Sequence, residues 1–139
     1  MSYLLDTNVV SETERKRPNR KVVEWLDIID AGNVYLSSVT IGEIKKGVTK
    51  LPSGKRKAHI QNWLEDVRKH FGSRILPLTE QTFLVWGKMM AEFEQRGIVR
   101  PALDSLLEAT ALEHDLVLVT RNVRNFQHSS VTTLNPWED

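Results

Sequence analysis

Three acidic residues of this chain occupy comparable positions, each near the expected end of a strand or the start of a helix. Asp6 comes directly after an apolar run, Glu43 follows a second one, and Asp104 lies in the opening turn of a helix-like segment. Carboxylates that converge in one crevice repel one another unless a cation lies between them, and Mg²⁺ and Mn²⁺ prefer oxygen ligands. The pattern therefore predicts a divalent-metal site, and two ions about 4 Å apart would suit phosphodiester hydrolysis.

Each of the three residues also has a simpler explanation. A strand-end Asp6 is a good N-cap for a helix that begins near Val9. Thr40 and Glu43 match the capping box, in which the Glu side chain reaches back to the N-cap amide. Asp104 is favoured in a first helical turn by the helix dipole. Only the convergence of the three carboxylates favours a metal site over these alternatives.

A second candidate segment is L-V-L-V-T-R-N-V-R-N-F, residues 116–126. Its apolar half reads as a buried strand, and its second half is rich in amide and guanidinium groups without any carboxylate. Ligands of parallel α/β sheets gather at the carboxyl ends of the strands. Thr120, Asn122 and Asn125 are therefore candidate residues of the same cleft.

The elements that would position these residues alternate between strand and helix. Hydrophobic periodicity and capping residues predict strands at 3–5, 34–36, 75–78, 116–119 and 131–134, and helices at 20–29, 40–49, 54–71, 79–97 and 101–114. Such alternation is typical of an α/β fold with a mainly parallel central sheet covered on both faces. No linker or repeat interrupts the pattern, so we expect one domain over residues 1–139.

Composition excludes several classes of protein. The chain has 139 residues and no cysteine, which removes disulfide scaffolds and thiol nucleophiles. No Walker, G-x-G-x-x-G or G-x-S-x-G motif occurs, and the histidines lack metal-ligand spacing. The N-terminal segment is too short and too soon charged for a signal peptide or a membrane span, so we expect no membrane association and a cytoplasmic location.

Net charge says little about nucleic acid, because 19 Lys and Arg balance 18 Asp and Glu. Basic residues nevertheless cluster at 15–17 with Arg20 and Lys21, at 45–46 and at 55–57. A charge run is usually a solvated face. Two of these clusters adjoin the segments of Asp6 and Glu43, where they are placed to hold a phosphate backbone.

Taken in order, these pieces resemble the PIN-domain ribonucleases, specifically the VapC-type toxins of bacterial toxin–antitoxin pairs and their FitB-like branch. The matching segments are L-L-D-T-N-V-V-S-E at 4–12, V-Y-L-S-S-V-T-I-G-E-I-K-K-G-V at 34–48, R-I-L-P-L at 74–78, A-L-D-S-L-L-E-A-T-A at 102–111, V-T-R-N-V-R-N-F at 119–126 and N-P-W at 135–137. The resemblance covers essentially the whole chain.

The resemblance implies a PIN-like three-layer fold and an acidic cleft that binds Mg²⁺ or Mn²⁺ for RNA hydrolysis. Asp6, Glu43 and Asp104 match the first three acidic residues of the family: Asp6 and Asp104 would hold the metal directly, and Glu43 directly or through water. The fourth acidic position of the family falls on Asn122 or Asn125. These amides are expected, with Thr120, to orient the nucleophilic water or the scissile phosphate.

Glu108 stands where these proteins commonly have a small residue, and one hypothesis is that its carboxylate compensates for the missing fourth acid. The resemblance also implies a homodimer, a cognate antitoxin that blocks the cleft, a complex that binds operator DNA only through the antitoxin, and a bacterial cytoplasm as the location.

Two other functions compete with a metal-dependent endoribonuclease. Loss of the fourth carboxylate would leave a catalytically weak or silent module that binds only RNA or an antitoxin. An aspartyl-nucleophile phosphohydrolase of the haloacid-dehalogenase type also begins with a strand-end Asp, but it needs a second Asp two residues later, where this chain has Asn8.

Overall fold

In the computed structural model, which describes residues 1–138, five short strands form one sheet. The strands are β1 (Tyr3–Leu5), β2 (Val34–Ser37), β3 (Ile75–Leu76), β4 (Val117–Val119) and β5 (Thr133–Leu134). Every neighbouring pair is parallel, in the order β3-β2-β1-β4-β5. The prediction of a mainly parallel α/β sheet is confirmed. Asp139, the last residue of the expected domain, lies outside the described residues.

Helices connect the strands and cover the sheet. They are α1 (Thr7–Glu12), α2 (Arg20–Ile28), α3 (Ser38–Lys50), α4 (Lys55–Phe71), α5 (Glu80–Gln95) and α6 (Ala102–Glu113). A 3₁₀ turn at Val123–Phe126 follows β4. The predicted helices are present, with ends shifted by a few residues, whereas the short helix α1 begins at Thr7, earlier than the sequence pattern suggested.

The two faces of the sheet bury alternate residues of the central strands. Leu5 and Val119 pack against α1 to α4, whereas Leu4 and Leu118 pack against α6. Helix α5 lies outside α6, with Phe93 buried against it. This period-two alternation is what a strand covered on both faces requires. The result is a three-layer arrangement with β1 at its centre.

Side-chain caps fix where helices α2 and α3 begin. Ser37 accepts a hydrogen bond from the amide of Val39 and starts α3, and Asn19 accepts from the amides of Lys21 and Val22 to start α2. Because α3 starts at Ser38, Thr40 lies inside the helix and is not its N-cap. The capping box predicted for Thr40 and Glu43 is therefore wrong, and the Glu43 side chain is free for another role.

Candidate active site

Asp6 is the most constrained carboxylate of the site. It follows β1 and caps α1: its Oδ1 accepts from the amide of Thr7 at 2.7 Å, and its Oδ2 accepts from the hydroxyl of Thr120 at 2.8 Å. Thr120 follows β4, and because Leu5 pairs with Val119, the two next residues lie side by side. Both are buried, at 7% and 0% exposure. The parallel register thus brings together residues 114 positions apart.

Glu43 lies one and a half turns into α3 and faces the start of α1. The hydroxyl of Thr7 donates to Glu43 Oε1 at 2.6 Å and lies 3.2 Å from the hydroxyl of Thr40. Thr7 therefore contacts Glu43 through its side chain and Asp6 through its amide. One residue links the two carboxylates and fixes their relative position.

Asp104 lies in the first turn of α6, as predicted. The residue next to it is fixed from both sides: Ser105 Oγ donates to the carbonyl of Ala102 at 2.6 Å and accepts from the indole N–H of Trp86 at 2.9 Å. Ser105 is fully buried. These contacts attach the beginning of α6 to α5 and thereby set the position of Asp104.

The three carboxylates influence one another electrostatically. Burial raises the pKa of Asp6 from its ordinary value of 3.8, the hydrogen bonds from Thr120 and Thr7 lower it, and the negative charges of Asp104 and Glu43 raise it further. A buried anion beside two others is a costly arrangement that a cation relieves. This charge balance fits a divalent ion.

The donors also fit such an ion in kind, because all are oxygen atoms. Among residues 1–138, however, no three acidic or imidazole side chains stand close enough to enclose a metal between them. Mg²⁺ usually keeps several waters and binds proteins through one or two carboxylates. The side chains thus suit an ion held partly through water.

Glu108 does not face the cleft as a free carboxylate. It is fully buried and forms an ion pair with Arg100, whose side chain is only 6% exposed. Neither Glu108 oxygen makes a hydrogen bond to any other group that the structure describes. This contradicts the hypothesis that Glu108 replaces the missing fourth acid, because its charge is already matched.

Arg100 is the cation next to two carboxylates of α6, those of Asp104 and Glu108. Burial lowers the pKa of its guanidinium, and the negative charge of Asp104 opposes that effect. An arginine remains protonated under such a shift. Its Cζ also lies 5.4 Å from the ring centroid of Phe93 and 5.2 Å from that of Phe126. Arg100 therefore joins α5, α6 and the turn after β4.

The two asparagines lie in the loop after β4, two and five residues beyond Thr120, and this loop is called the rim. Asn122 and Asn125 are exposed and line a depression of about 240 Å³ together with Arg121 and Glu138. The amide of Asn122 donates to Thr120 Oγ1 at 3.0 Å, but within residues 1–138 neither asparagine side chain is hydrogen-bonded to a cleft carboxylate. Their roles in the reaction remain predictions.

The C-terminal segment supports this rim. The Cζ of Arg121 lies 5.2 Å from the ring centroid of Trp137, and Asn135 Nδ2 donates to the carbonyl of Arg121 at 3.3 Å. The amide of Arg121 donates to Asn8 Oδ1, also at 3.3 Å. Asn8 is next to Thr7, so the loop after β4 is attached to the start of α1.

Sequence reasoning missed Thr7 and Arg100. Thr7 lies between Asp6 and Asn8 in the motif at 4–12, and its contact with Glu43 spans 36 positions, which no local pattern reveals. Arg100 gave no helical-spacing signal, because it lies two residues before α6 begins at Ala102, and its contact with Glu108 depends on how that segment folds back.

Comparison with known proteins agrees with this geometry. The model of the family described as PIN domain matches residues 3–129. The chain is 38% identical to Toxin FitB of Neisseria gonorrhoeae over 98% of this chain and 99% of that protein. It is 34% identical to VapC ribonuclease Y4jK of Sinorhizobium fredii over 97% of each.

Solved structures give the same result in three dimensions. The crystal structure of FitAcB from Neisseria gonorrhoeae superposes with a TM-score of 0.93 at 37% identity, covering 99% of each chain. The structure of FitAB bound to an IR36 DNA fragment gives a TM-score of 0.91 at 36% identity, over 97% of this chain and 95% of that one. With its parallel sheet, Asp6 at the end of β1 and a match to the family model over residues 3–129, the chain belongs to the PIN-domain family.

Proposed function

We propose that this protein is the toxin of a type II toxin–antitoxin pair and acts as an endoribonuclease that requires Mg²⁺ or Mn²⁺. The observation that carries the proposal is the buried carboxylate of Asp6, held by Thr120 and Thr7 and facing the charges of Asp104 and Glu43. The names of the relatives, a FitB toxin and a VapC ribonuclease, support both parts of the proposal.

In this proposal Asp6 and Asp104 hold the metal directly, and Glu43 holds it directly or through water. A bound divalent ion supplies Lewis-acid stabilisation of the phosphoryl oxygens and a nucleophilic water of lowered pKa. Thr120 holds the Asp6 carboxylate in place, and Thr7 holds Glu43. Asn122 or Asn125 positions the water or the scissile phosphate from the rim.

Partners follow from the similarity to the FitAcB and FitAB structures. We expect a cognate antitoxin that covers the cleft, a homodimer of this chain with possible higher assembly in the complex, and operator DNA bound only through the antitoxin. No helix within residues 1–138 has the length and apolar character needed to span a bilayer. The bacterial cytoplasm, where the RNA substrate is found, is the proposed location.

A second candidate function is a catalytically weak or silent module that binds RNA or the antitoxin. The observation that favours it is the absence of a carboxylate from residues 120–126, directly after β4, where the chain has the exposed residues Asn122 and Asn125. An amide binds a cation more weakly than a carboxylate because it carries no charge. The two functions differ in one property, metal-dependent turnover.

The deciding experiment is RNA cleavage by the purified protein with Mg²⁺ or Mn²⁺ and with a chelator. We expect products only with metal, and Asp6→Asn and Asp104→Asn should reduce the rate at least about 100-fold, because even indirect partners of a metal typically contribute 10–100-fold. Asp27→Asn, an exposed change on α2, is the matched control and should cleave normally. Cleavage that survives chelation, or wild-type rates in both cleft variants, would refute the proposal.

A further inference from the structure

The loop between α1 and α2 carries a compact group of cations close to the acidic cleft. Its residues Arg15, Lys16 and Arg17 are exposed. The preceding helix has six residues, so it spans about 9 Å, and it begins at the Asp6 cap. An RNA strand with a phosphate at Asp6 therefore has to extend by little more than the length of α1 to meet this loop.

The loop is fixed in place by a buried carboxylate. Glu12, only 5% exposed, accepts from the amide of Asn19 at 2.7 Å and from Arg15 Nη1 at 3.3 Å. Asn19 in turn caps α2. Both ends of the loop are thus attached to α1, and its cations are held on a defined surface.

A second anchor comes from α4. Arg56 donates to both carboxylate oxygens of Glu14, at 2.8 and 3.2 Å. The charges of Arg56 and Arg15 are therefore matched by Glu14 and Glu12. Among the ion pairs of residues 1–138, none involves Lys16 or Arg17, whose charges are available to a ligand.

Two concavities connect these cations with the cleft. One, of about 550 Å³, is lined by Arg15, Lys16, Arg17 and Arg56 alone. Its neighbour, of about 210 Å³, shares Arg56 with it and is lined also by Thr7, Glu14, Glu43 and apolar residues of α3 and α4. Because Arg56 lines both concavities and Glu43 lines the second, the two lie side by side between the cations and one carboxylate of the cleft, and together they are called the basic groove.

We propose that this groove is a subsite for the phosphates of single-stranded RNA on one side of the scissile bond, with Lys16 and Arg17 as its principal contacts. The inference rests on the proposed function and extends it. A cleft of carboxylates repels a polyanion, and a bound metal compensates only locally. Affinity for the flanking phosphates must come from cations outside the cleft, and this group adjoins it.

The test is the salt dependence of binding to a single-stranded RNA made non-cleavable by 2′-O-methylation, measured by fluorescence anisotropy in chelator. Each phosphate contact in a single strand contributes about 0.7 to the slope of log affinity against log salt. Lys16→Gln/Arg17→Gln should therefore lower the slope by about 1.4, so that raising salt from about 50 to 200 mM weakens binding about sevenfold less than in the wild type.

Lys69→Gln/Lys88→Gln is the matched control, because it removes two exposed charges on α4 and α5. It should leave the slope unchanged. An equal loss of slope in both double variants would show that only net charge matters, and it would overturn the subsite. An unchanged slope in Lys16→Gln/Arg17→Gln would also overturn it.

Kinetics distinguish this proposal from the function on which it rests. With metal, Lys16→Gln/Arg17→Gln should raise KM for a long oligonucleotide, leave kcat unchanged, and leave KM for a dinucleotide unchanged, since the latter does not reach the loop. If the wild type does not cleave RNA but Lys16→Gln/Arg17→Gln still lowers the salt slope of RNA binding, the nuclease proposal is refuted and the subsite proposal stands. An unchanged RNA slope together with lost affinity for an Asp- and Glu-rich peptide would assign the loop to a protein partner and overturn the subsite.

Discussion

Arg100 and Glu108 form a buried ion pair beside Asp104, at the junction of α5, α6 and the turn after β4. Asp104 and Glu108 lie one helical turn apart, where like charges repel. The positive charge of Arg100, which pairs with Glu108 and interacts with Asp104, offsets that repulsion. Glu108 thus acts on the site only through Arg100.

Removing one partner of this pair should lower the free energy of unfolding much more than replacing both partners by apolar residues. Glu108→Ala leaves Arg100 buried without its counter-ion, and we expect a loss of about 3–5 kcal/mol in the free energy of unfolding. Arg100→Met/Glu108→Leu, which replaces both groups by apolar side chains, should be near neutral in stability. Urea unfolding measures both.

The control for the pair is Glu24→Ala, which breaks the exposed pair with Arg20 and should change stability by at most about 0.5 kcal/mol. A double variant as unstable as Glu108→Ala would contradict the ion-pair account and indicate that the loss came from packing.

Asp6→Asn should stabilise the metal-free protein at neutral pH. The folded-state pKa of Asp6 is raised, so its contribution to stability is fully present below pH 3.8 and is lost as pH rises through the folded value. An amide avoids that loss and keeps an oxygen for the Thr7 amide. Thermal unfolding in chelator should give a higher Tm for the variant at pH 7, with the difference vanishing in acid.

Addition of Mg²⁺ or Mn²⁺ should reverse the order, raising the Tm of the wild type but not of Asp6→Asn, because a ligand stabilises only the state that binds it. If Asp6→Asn were less stable than the wild type in chelator at pH 7, the charged carboxylate of Asp6 would not destabilise the metal-free folded protein.

Thr120→Val should move the acid limb of the cleavage pH profile upward. The hydroxyl of Thr120 lowers the pKa of Asp6 by donating to its carboxylate, and valine keeps the volume but not the donor. We expect a 10–100-fold weaker metal affinity or rate. Thr120→Ser retains the donor and should behave almost as the wild type; equal defects in both would point to packing instead.

Asn125→Asp should strengthen metal binding if this residue lies at the fourth ligand position, since a carboxylate adds charge to the site. Titration calorimetry with Mn²⁺ compares it with Asn122→Asp, which tests the other candidate, and with Asn62→Asp on the exposed face of α4. Unchanged Mn²⁺ affinity in both Asn122→Asp and Asn125→Asp would show that neither position is a metal-ligand position.

Alternation of strands and helices was readable from the sequence because the buried strands are short apolar runs and four of the helices, α1, α2, α3 and α5, begin at a residue whose side chain caps them. The position of Asp6 could be predicted because it directly follows one of these apolar runs. The start of α3 could not be predicted, since Ser37 and Thr40 are both favoured N-cap residues, and in the structure it is the hydroxyl of Ser37 that makes the capping bond.

Contacts between segments distant in the chain could not be predicted from the sequence. Thr7 with Glu43 and Arg100 with Phe126 depend on how helices and loops dock on the sheet, and local propensity carries no information about docking. The burial of Glu108 was hidden for a similar reason: its helix is apolar on several sides, so that the pattern does not reveal which acid faces inward.

The hydrogen bond between Thr120 and Asp6 also has a consequence for the protein during its synthesis. β1 lies between β2 and β4, and the partner of Asp6 is encoded 114 positions later. A nascent chain emerging from the ribosome cannot form this hydrogen bond until Thr120 has been translated, and products truncated before β4 never form it. Contacts of such long sequence separation also form late and slowly in folding. The acidic cleft is therefore incomplete in any nascent or truncated chain that lacks β4 and Thr120.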